Sequence, residues 1–447
     1  MSHPVPNASL GRLHREAGWT LRQFAQAVNR LGTERGTPLR YREPSVHQWL
    51  AGGLPMPPVR PLVLEALARR LGRPVAAVEA GFPPIPGEAD SQPNTVEGLI
   101  DLGRQDMDPS RRGVLGVGLF SVALAVPDWP DVAGRMEAAR SGEARRIGMT
   151  DVDTVMAMTE RLSELDDDFG GRHARPMAAA FLVNTVGPYL RADAAEAVRA
   201  KMMAAASFLC YVTGWMAMDE GRNGLAQHYY VKGLELAGAA GDHSTYCHIL
   251  RGMSVHAADL GHGGAAVRFA DAAAAAAPAA GPRMRAFLTG QQAHAHAMNG
   301  EKEQALRLLR ETEVAMDKAT SQAPTFGGYS PATVALHTAE VQHELGDTPG
   351  SIRSLQTHFH LRDSSDRRRS GLRFNAKLAE RQLTVGHLEA ACSSWGRVLD
   401  DYPRVHSGRV DAHIREMYRL IQPHLRNSHA RSLYERARTV TPAVRNA

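Results

Sequence analysis

Cysteine is almost missing from this chain, with Cys210, Cys247 and Cys392 the only three in 447 residues. They stand far apart in helical patterns, which excludes a disulfide framework or a zinc cluster and makes them small core residues. Long apolar runs are missing too: none approaches the roughly 20 residues of a membrane-spanning helix. The opening MSHPVPNASLGRLHREAG lacks the apolar centre of a signal peptide. A reduced cytoplasm, with no membrane partner, is therefore expected. The motifs of catalysis are absent as well: no HExxH, GxSxG elbow, Walker loop or Cys–His pairing. His294 and His296 stand two apart and so fall on different helix faces. Gly113, Gly116 and Gly118 have no strand before them, which a dinucleotide fingerprint requires. Asp166, Asp167 and Asp168 are adjacent, so their carboxylates diverge and read as a solvated helix end rather than a metal site. These absences predict a non-enzyme without cofactor or metal.

Lysine is scarce, five of the 52 basic residues. The 47 arginines that remain reflect alanine- and arginine-rich usage typical of a GC-rich genome, so arginine number alone says little. Its distribution says more. Between Met1 and Val75 eleven arginines face four acids, an excess of +7, whereas the whole chain carries +5. The positive charge belongs to the N-terminal part.

What is present is a repeat. Gly221, Gly261, Gly300, Gly346 and Gly386 follow one another at steps of 40, 39, 46 and 40 residues, the size of a helix pair. Five positions after each glycine stand Ala226, Ala266, Ala305, Ser351 and Ala391; nine after stand Tyr230, Ala270, Leu309, Leu355 and Trp395. A glycine ends one helix in the left-handed conformation, a small residue lets the next helix approach, and a larger one fills the gap a turn later. The first unit, with Gly214, Ala217, Gly221, Ala226, Tyr230 and Leu234, resembles the tetratricopeptide pattern, with Ala217 where a tyrosine is usual. The fold expected is all-α: an N-terminal helix-turn-helix domain (1–82), a linker (83–109), a helical connecting region (110–206), an α-solenoid of tetratricopeptide-like repeats (207–405) and C-terminal capping helices (406–447). The apolar run after Arg111 and Arg112 predicts a buried helix from Ser110 to Ala125.

Within the first domain, Leu10, Leu13 and Ala17 space a helix that Gly18 closes. Thr20 can cap a second helix with Gln23 at the capping-box position, burying Leu21, Phe24, Ala25 and Val28. The stretch GWTLRQFAQAV resembles the segment that opens the helix-turn-helix of phage-repressor-like (Xre-type) DNA-binding domains, and REPSVHQWLAGG resembles that family's recognition helix, with Val46 and Trp49 buried. The departure is NRLGTERGTPLRY between them, which either shifts the recognition helix or forms an arginine-bearing wing. The resemblance implies double-stranded DNA as a partner, with Arg42, Glu43, Ser45, His47 and Gln48 reaching base edges. It places Arg22, Gln23 and Arg40 near phosphate.

Stacked helix pairs leave a groove lined by the first helix of each pair. Its expected lining includes Tyr211, Trp215, Asp219, His248, Arg251, His294, His343 and Arg373. Rings suit apolar side chains and guanidinium groups suit carboxylates, so a peptide or protein partner is expected there. The arrangement as a whole is similar to actinobacterial regulators that place a repressor-like domain before tetratricopeptide repeats, some of which restrain sporulation and antibiotic production, and to peptide-pheromone receptors. A homodimeric transcriptional regulator is the function this implies. A protein-interaction scaffold without DNA binding and a small-molecule-binding solenoid are the alternatives.

Overall fold

The computed structural model describes residues 6–35, 37–83, 95–107, 120–122, 146–277, 281–319, 329–362 and 368–441. The chain is all-α, and among these residues the only β pairing is one isolated bridge between Arg146 and Asp193. The three cysteines are buried and free, and no described helix is long and apolar enough to cross a membrane.

The first domain packs α1 (Ala8–Ala17), α2 (Leu21–Glu34), α3 (Glu43–Leu50) and α4 (Arg60–Leu71) around Leu10, Leu13, Phe24, Val28, Val46, Trp49 and Leu67. The capping box forms: the Gln23 backbone N–H donates to Thr20 Oγ1 at 3.2 Å, and the Thr20 N–H donates to Gln23 Oε1 at 2.9 Å. Half of the inserted stretch proves to be helix. Leu31 is buried, so α2 runs on to Glu34 and leaves a short connection to α3. Asn29 holds that connection with two bonds of 2.8 Å, donating to the Tyr41 carbonyl and accepting from the Tyr41 N–H. Tyr41 in turn meets Trp49 edge-on, 5.1 Å between ring centres.

The stretch read as a linker contains a helix. α5 (Thr95–Met107) buries Val96, Leu99 and Ile100. It is tied down by Asp106, which accepts from Tyr229 Oη at 3.0 Å and is ion-paired with the buried Arg175. Arg175 also reaches Glu220 at 2.6 Å, so one guanidinium joins three segments. The helix expected over Ser110–Ala125 lies mostly outside the described residues, and the three that are described, Phe120–Val122, are not helical. α6 (Met149–Phe169) and α7 (Gly171–Phe181) follow; the latter continues through a π turn (Leu182–Val186) into α8 (Gly187–Arg191).

Five antiparallel helix pairs come next: α9 (Glu196–Asp219) with α10 (Asn223–Ala240), α11 (His243–Asp259) with α12 (Gly263–Ala275), α13 (Pro282–Met298) with α14 (Lys302–Asp317), α15 (Pro331–Glu344) with α16 (Thr348–Leu361), and α17 (Arg368–Thr384) with α18 (Leu388–Asp401). Each of the five spaced glycines sits in the turn of its pair with φ between 76° and 87°. The small positions Ala226, Ala266, Ala305, Ser351 and Ala391 are all fully buried. Ser351 replaces alanine for a reason: its hydroxyl donates to the Ala339 carbonyl at 2.6 Å and accepts from Arg381 at 2.8 Å. The first pair begins earlier than the repeat spacing suggests, because α9 is apolar from Met202 onwards.

α19 (Gly408–Ile421) and α20 (Ser428–Val440) cap the last pair, and α19 also closes the superhelix on its own start. The His406 N–H donates to the Phe169 carbonyl at 2.7 Å, and Ser407 Oγ donates to Asp219 at 2.8 Å. A Cβ on residue 408 would lie 2.7 Å from the Glu220 carbonyl, which explains the glycine there. Arg369 on α17 completes the closure by pairing with Asp166 at 2.8 Å and with Asp167 and Asp219 at 3.1 Å. The expectation of a solvated Asp166–Asp168 end is thus overturned for two of the three. Asp166 and Asp167 are buried because a cation 202 residues beyond Asp167 reaches them, while Asp168 stays exposed.

Candidate functional site

Two surfaces carry unspent chemistry. The first is the edge of α2 and α3. Arg22, Gln23, Arg40, Arg42, Glu43, His47 and Gln48 are exposed and Ser45 is half-buried. Arg22, Tyr41, Arg42, Glu43 and His47 border one shallow depression of about 560 Å³ between the two helices. The fixed Asn29–Tyr41 clasp sets this geometry, since Tyr41 adjoins Arg42 at the N-terminus of α3. Gln23 spends its amide oxygen on the capping box. Some of the domain's arginines are held in ion pairs. Arg69 pairs with Glu34 and Glu65, and Arg73 with Glu16 and Glu79. No ion pair involves Arg22, Arg40 or Arg42 among the described residues. An exposed cation with no internal partner can meet a phosphate without first breaking a bond.

The second surface is the inner face of the first helices of the pairs. Tyr211 lies 6.3 Å from the rings of both Trp215 and His248, and His248 lies 4.7 Å from Phe287. The Arg251 guanidinium sits 4.0 Å over the Phe287 ring, donates to the Phe287 carbonyl at 3.3 Å and approaches His337 Nε2 at 3.5 Å. His337 Nδ1 shares a 2.9 Å bond with Tyr329 Oη. Gly290 makes room for this pair, because a Cβ there would lie 2.4 Å from both atoms. Arg251 has no carboxylate partner among the described residues, and burial lowers its pKa. It nevertheless keeps partial access to solvent. Among the described residues, the superhelix therefore holds this cation without an acidic partner.

The structure brings Tyr211, Trp215, His248 and Arg251 together, with His294 a pair further on, 4.0 Å from Glu340. Asp219 and Arg373 serve the closure instead: Asp219 meets Arg369 and Ser407, and Arg373 reaches Asp259 at 3.4 Å. His343 is exposed and stands apart. Tyr329 and His337 were not legible as site residues, since Tyr329 precedes a helix outside the repeat spacing. Arg409, ion-paired with Asp259, lies in the stretch assigned to capping helices. Among the described residues no group of histidine, cysteine or acidic side chains is arranged to hold a metal.

Burial favours the neutral form of three histidines in the repeats. Burial lowers His337 well below its ordinary value and His294 to about 4. Burial likewise lowers His256, on α11, to about 3. A base whose folded pKa is depressed takes up its proton first in the unfolded chain. The stability it contributes is complete above about 6.5 and falls as the pH drops towards 4. Each such histidine should cost up to about 2 kcal/mol between pH 6.5 and pH 5. The thermal midpoint measured by circular dichroism should therefore be lower at pH 5 than at pH 7.5, and an unchanged midpoint would contradict neutral burial.

Fold and sites together define a class: an all-α protein with a small domain presenting an exposed, partly cationic edge, joined to a helical-repeat superhelix closed on itself. Residues 10–83, spanning most of α1 through α4 and the turn beyond, match the family model described as the SP15 N-terminal domain. No curated protein matches the chain.

Proposed function

We propose that the protein is a DNA-binding transcriptional regulator of the Xre-type helix-turn-helix kind, whose tetratricopeptide-like superhelix takes an effector on its inner face. The observation that carries this reading is the edge of α2 and α3. There Arg22, Arg40 and Arg42 are exposed and in no ion pair among the described residues, while Val46 and Trp49 anchor α3 from behind. Arg42, Glu43, Ser45, His47 and Gln48 meet base edges in the major groove, and Arg22, Gln23 and Arg40 meet phosphate. A homodimer places two such edges on paired half-sites. The resemblance to actinobacterial regulators of sporulation and antibiotic production, and to peptide-pheromone receptors, supports the same assignment and a cytoplasmic location.

The effector carries a carboxylate. Arg251 offers it a guanidinium with no acidic partner among the described residues, beside the rings of Phe287 and Tyr211. An effector that binds one arrangement of the superhelix better than another shifts the spacing of the two DNA-binding edges. The test is chromatin immunoprecipitation with sequencing on the tagged protein, beside an Arg42→Ala/Gln48→Ala variant. Discrete peaks sharing an inverted repeat, lost in the variant, are expected. No peaks for either protein across several growth conditions would favour an interaction scaffold.

A further inference from the structure

Phe120, Ser121 and Val122 lie between the first domain and the repeats, and side chains from both read their backbone. The Phe120 carbonyl accepts from Arg69 at 2.9 Å. Gln227 on α10 makes a reciprocal pair with Ser121, accepting from its N–H at 2.7 Å and donating to its carbonyl at 2.8 Å. Glu65 on α4 accepts from the Val122 N–H at 2.9 Å and from Ser121 Oγ at 2.8 Å. Arg268 on α12 donates to the Val122 carbonyl at 3.1 Å and, with its other nitrogen, to the Gly72 carbonyl at 3.2 Å. The Phe120 ring stacks on His262 at 5.0 Å and meets His256 edge-on at 4.9 Å. Phe120, Val122, Glu65, Gln227 and His256 are all buried.

Five of the six backbone polar groups of this tripeptide are therefore bonded to side chains of distant residues. Buried backbone groups are met by backbone, side chains or water, and here side chains of four distant residues, Glu65, Arg69, Gln227 and Arg268, meet nearly all of them. Main-chain hydrogen bonds, with one ring in a pocket, are also how a peptide is bound as a ligand. We propose that the cleft between α4 and the second helices α10 and α12 is a peptide-recognition site. Phe120–Val122 fills it in cis and latches the first domain to the repeats. Its specificity is for a segment with an aromatic residue, then a small hydroxyl residue, then a β-branched one. The proposal is independent of DNA binding and of the Arg251 face.

The probe is a fluorescein-labelled peptide with the sequence of residues 117–125, titrated by anisotropy into full-length protein. The Phe120→Ala chain, whose own segment has lost its ring, should bind the peptide at least about tenfold more tightly than the unaltered chain does. Adding Gln227→Glu to that chain keeps the volume but sets a carboxylate against the Ser121 carbonyl, and should weaken binding about tenfold or more. No binding to a Phe120→Ala chain that still melts cooperatively, or equal binding after Gln227→Glu, would overturn the proposal. If Phe120→Ala fails to fold, amide hydrogen exchange decides. In the otherwise unaltered chain, Gln227→Glu should speed exchange at Ser121 by about tenfold, and unchanged protection there overturns the latch.

Discussion

Replacing Arg369 with methionine should lower the unfolding free energy by about 3–5 kcal/mol, the cost of leaving buried charge without its partner. Arg369 is 6% exposed and neutralises three carboxylates, none more than 11% exposed at its side chain. These contacts join α17 to α6 and α9, so the variant loses the closure of the superhelix as well as stability. Titration separates this from a mere loss of packing. Burial alone pushes the Asp219 carboxyl up; Arg369, Arg409 and Ser407 overcome that and hold it below its ordinary value. In the unaltered protein this group contributes stability that is complete above about 3.9 and is lost as the pH falls through its lower folded value. Without Arg369 the buried Asp219 carboxyl takes up a proton more readily than it does in the parent. The deficit between variant and parent, measured by urea denaturation, should therefore shrink as the pH drops from 7 towards 4. A deficit independent of pH would mean that Arg369 acts through its methylenes alone.

The same residue marks what a sequence can and cannot disclose. The repeat was legible because each of its rules is local. A left-handed cap favours glycine, and the close approach that follows admits only a small side chain, so the spacing of Gly221 through Gly386 carries the architecture. The core of the first domain was legible for similar reasons, from the period of Leu10, Leu13, Phe24 and Val28 and from the Thr20–Gln23 box. Closure was not. Asp166 and Asp167 look solvated until Arg369 is brought to them, and nothing near either partner announces the other. Phe120–Val122 failed differently. The apolar run around it fits a buried helix, yet the backbone of these residues is held by Gln227, Glu65, Arg69 and Arg268, and backbone demand leaves no periodicity. The inner face was half legible: helix spacing placed Tyr211, Trp215, His248 and Arg251 together. It could not show that Asp219 and Arg373 are consumed by the closure, or that Tyr329 and His337 join the ring around Arg251.

Under the proposed function, Arg22→Ala and Arg42→Ala should weaken operator binding in different ways, and the difference tests the assignment of each helix. Arg22 stands at the start of α2, where the proposal sets it against phosphate. Arg42 precedes Glu43 at the front of α3, where the proposal has it reach a base. Losing a bidentate base contact costs about 1–3 kcal/mol, so Arg42→Ala should reduce affinity roughly 5- to 150-fold for the operator. It should barely change affinity for unrelated DNA, and the sequence preference at one position should relax. Arg22→Ala should weaken both kinds of DNA alike and lower the slope of log affinity against log salt by about 1, because one fewer counterion is released. Both variants should keep the parent's thermal midpoint, since neither side chain is in an ion pair among the described residues. Electrophoretic mobility shifts at several salt concentrations, on the operator and on scrambled duplex, read all of these quantities. If the two substitutions gave the same salt slope and the same loss on both duplexes, α3 would be lying along the backbone, and the base-reading role given to Arg42, His47 and Gln48 would be withdrawn.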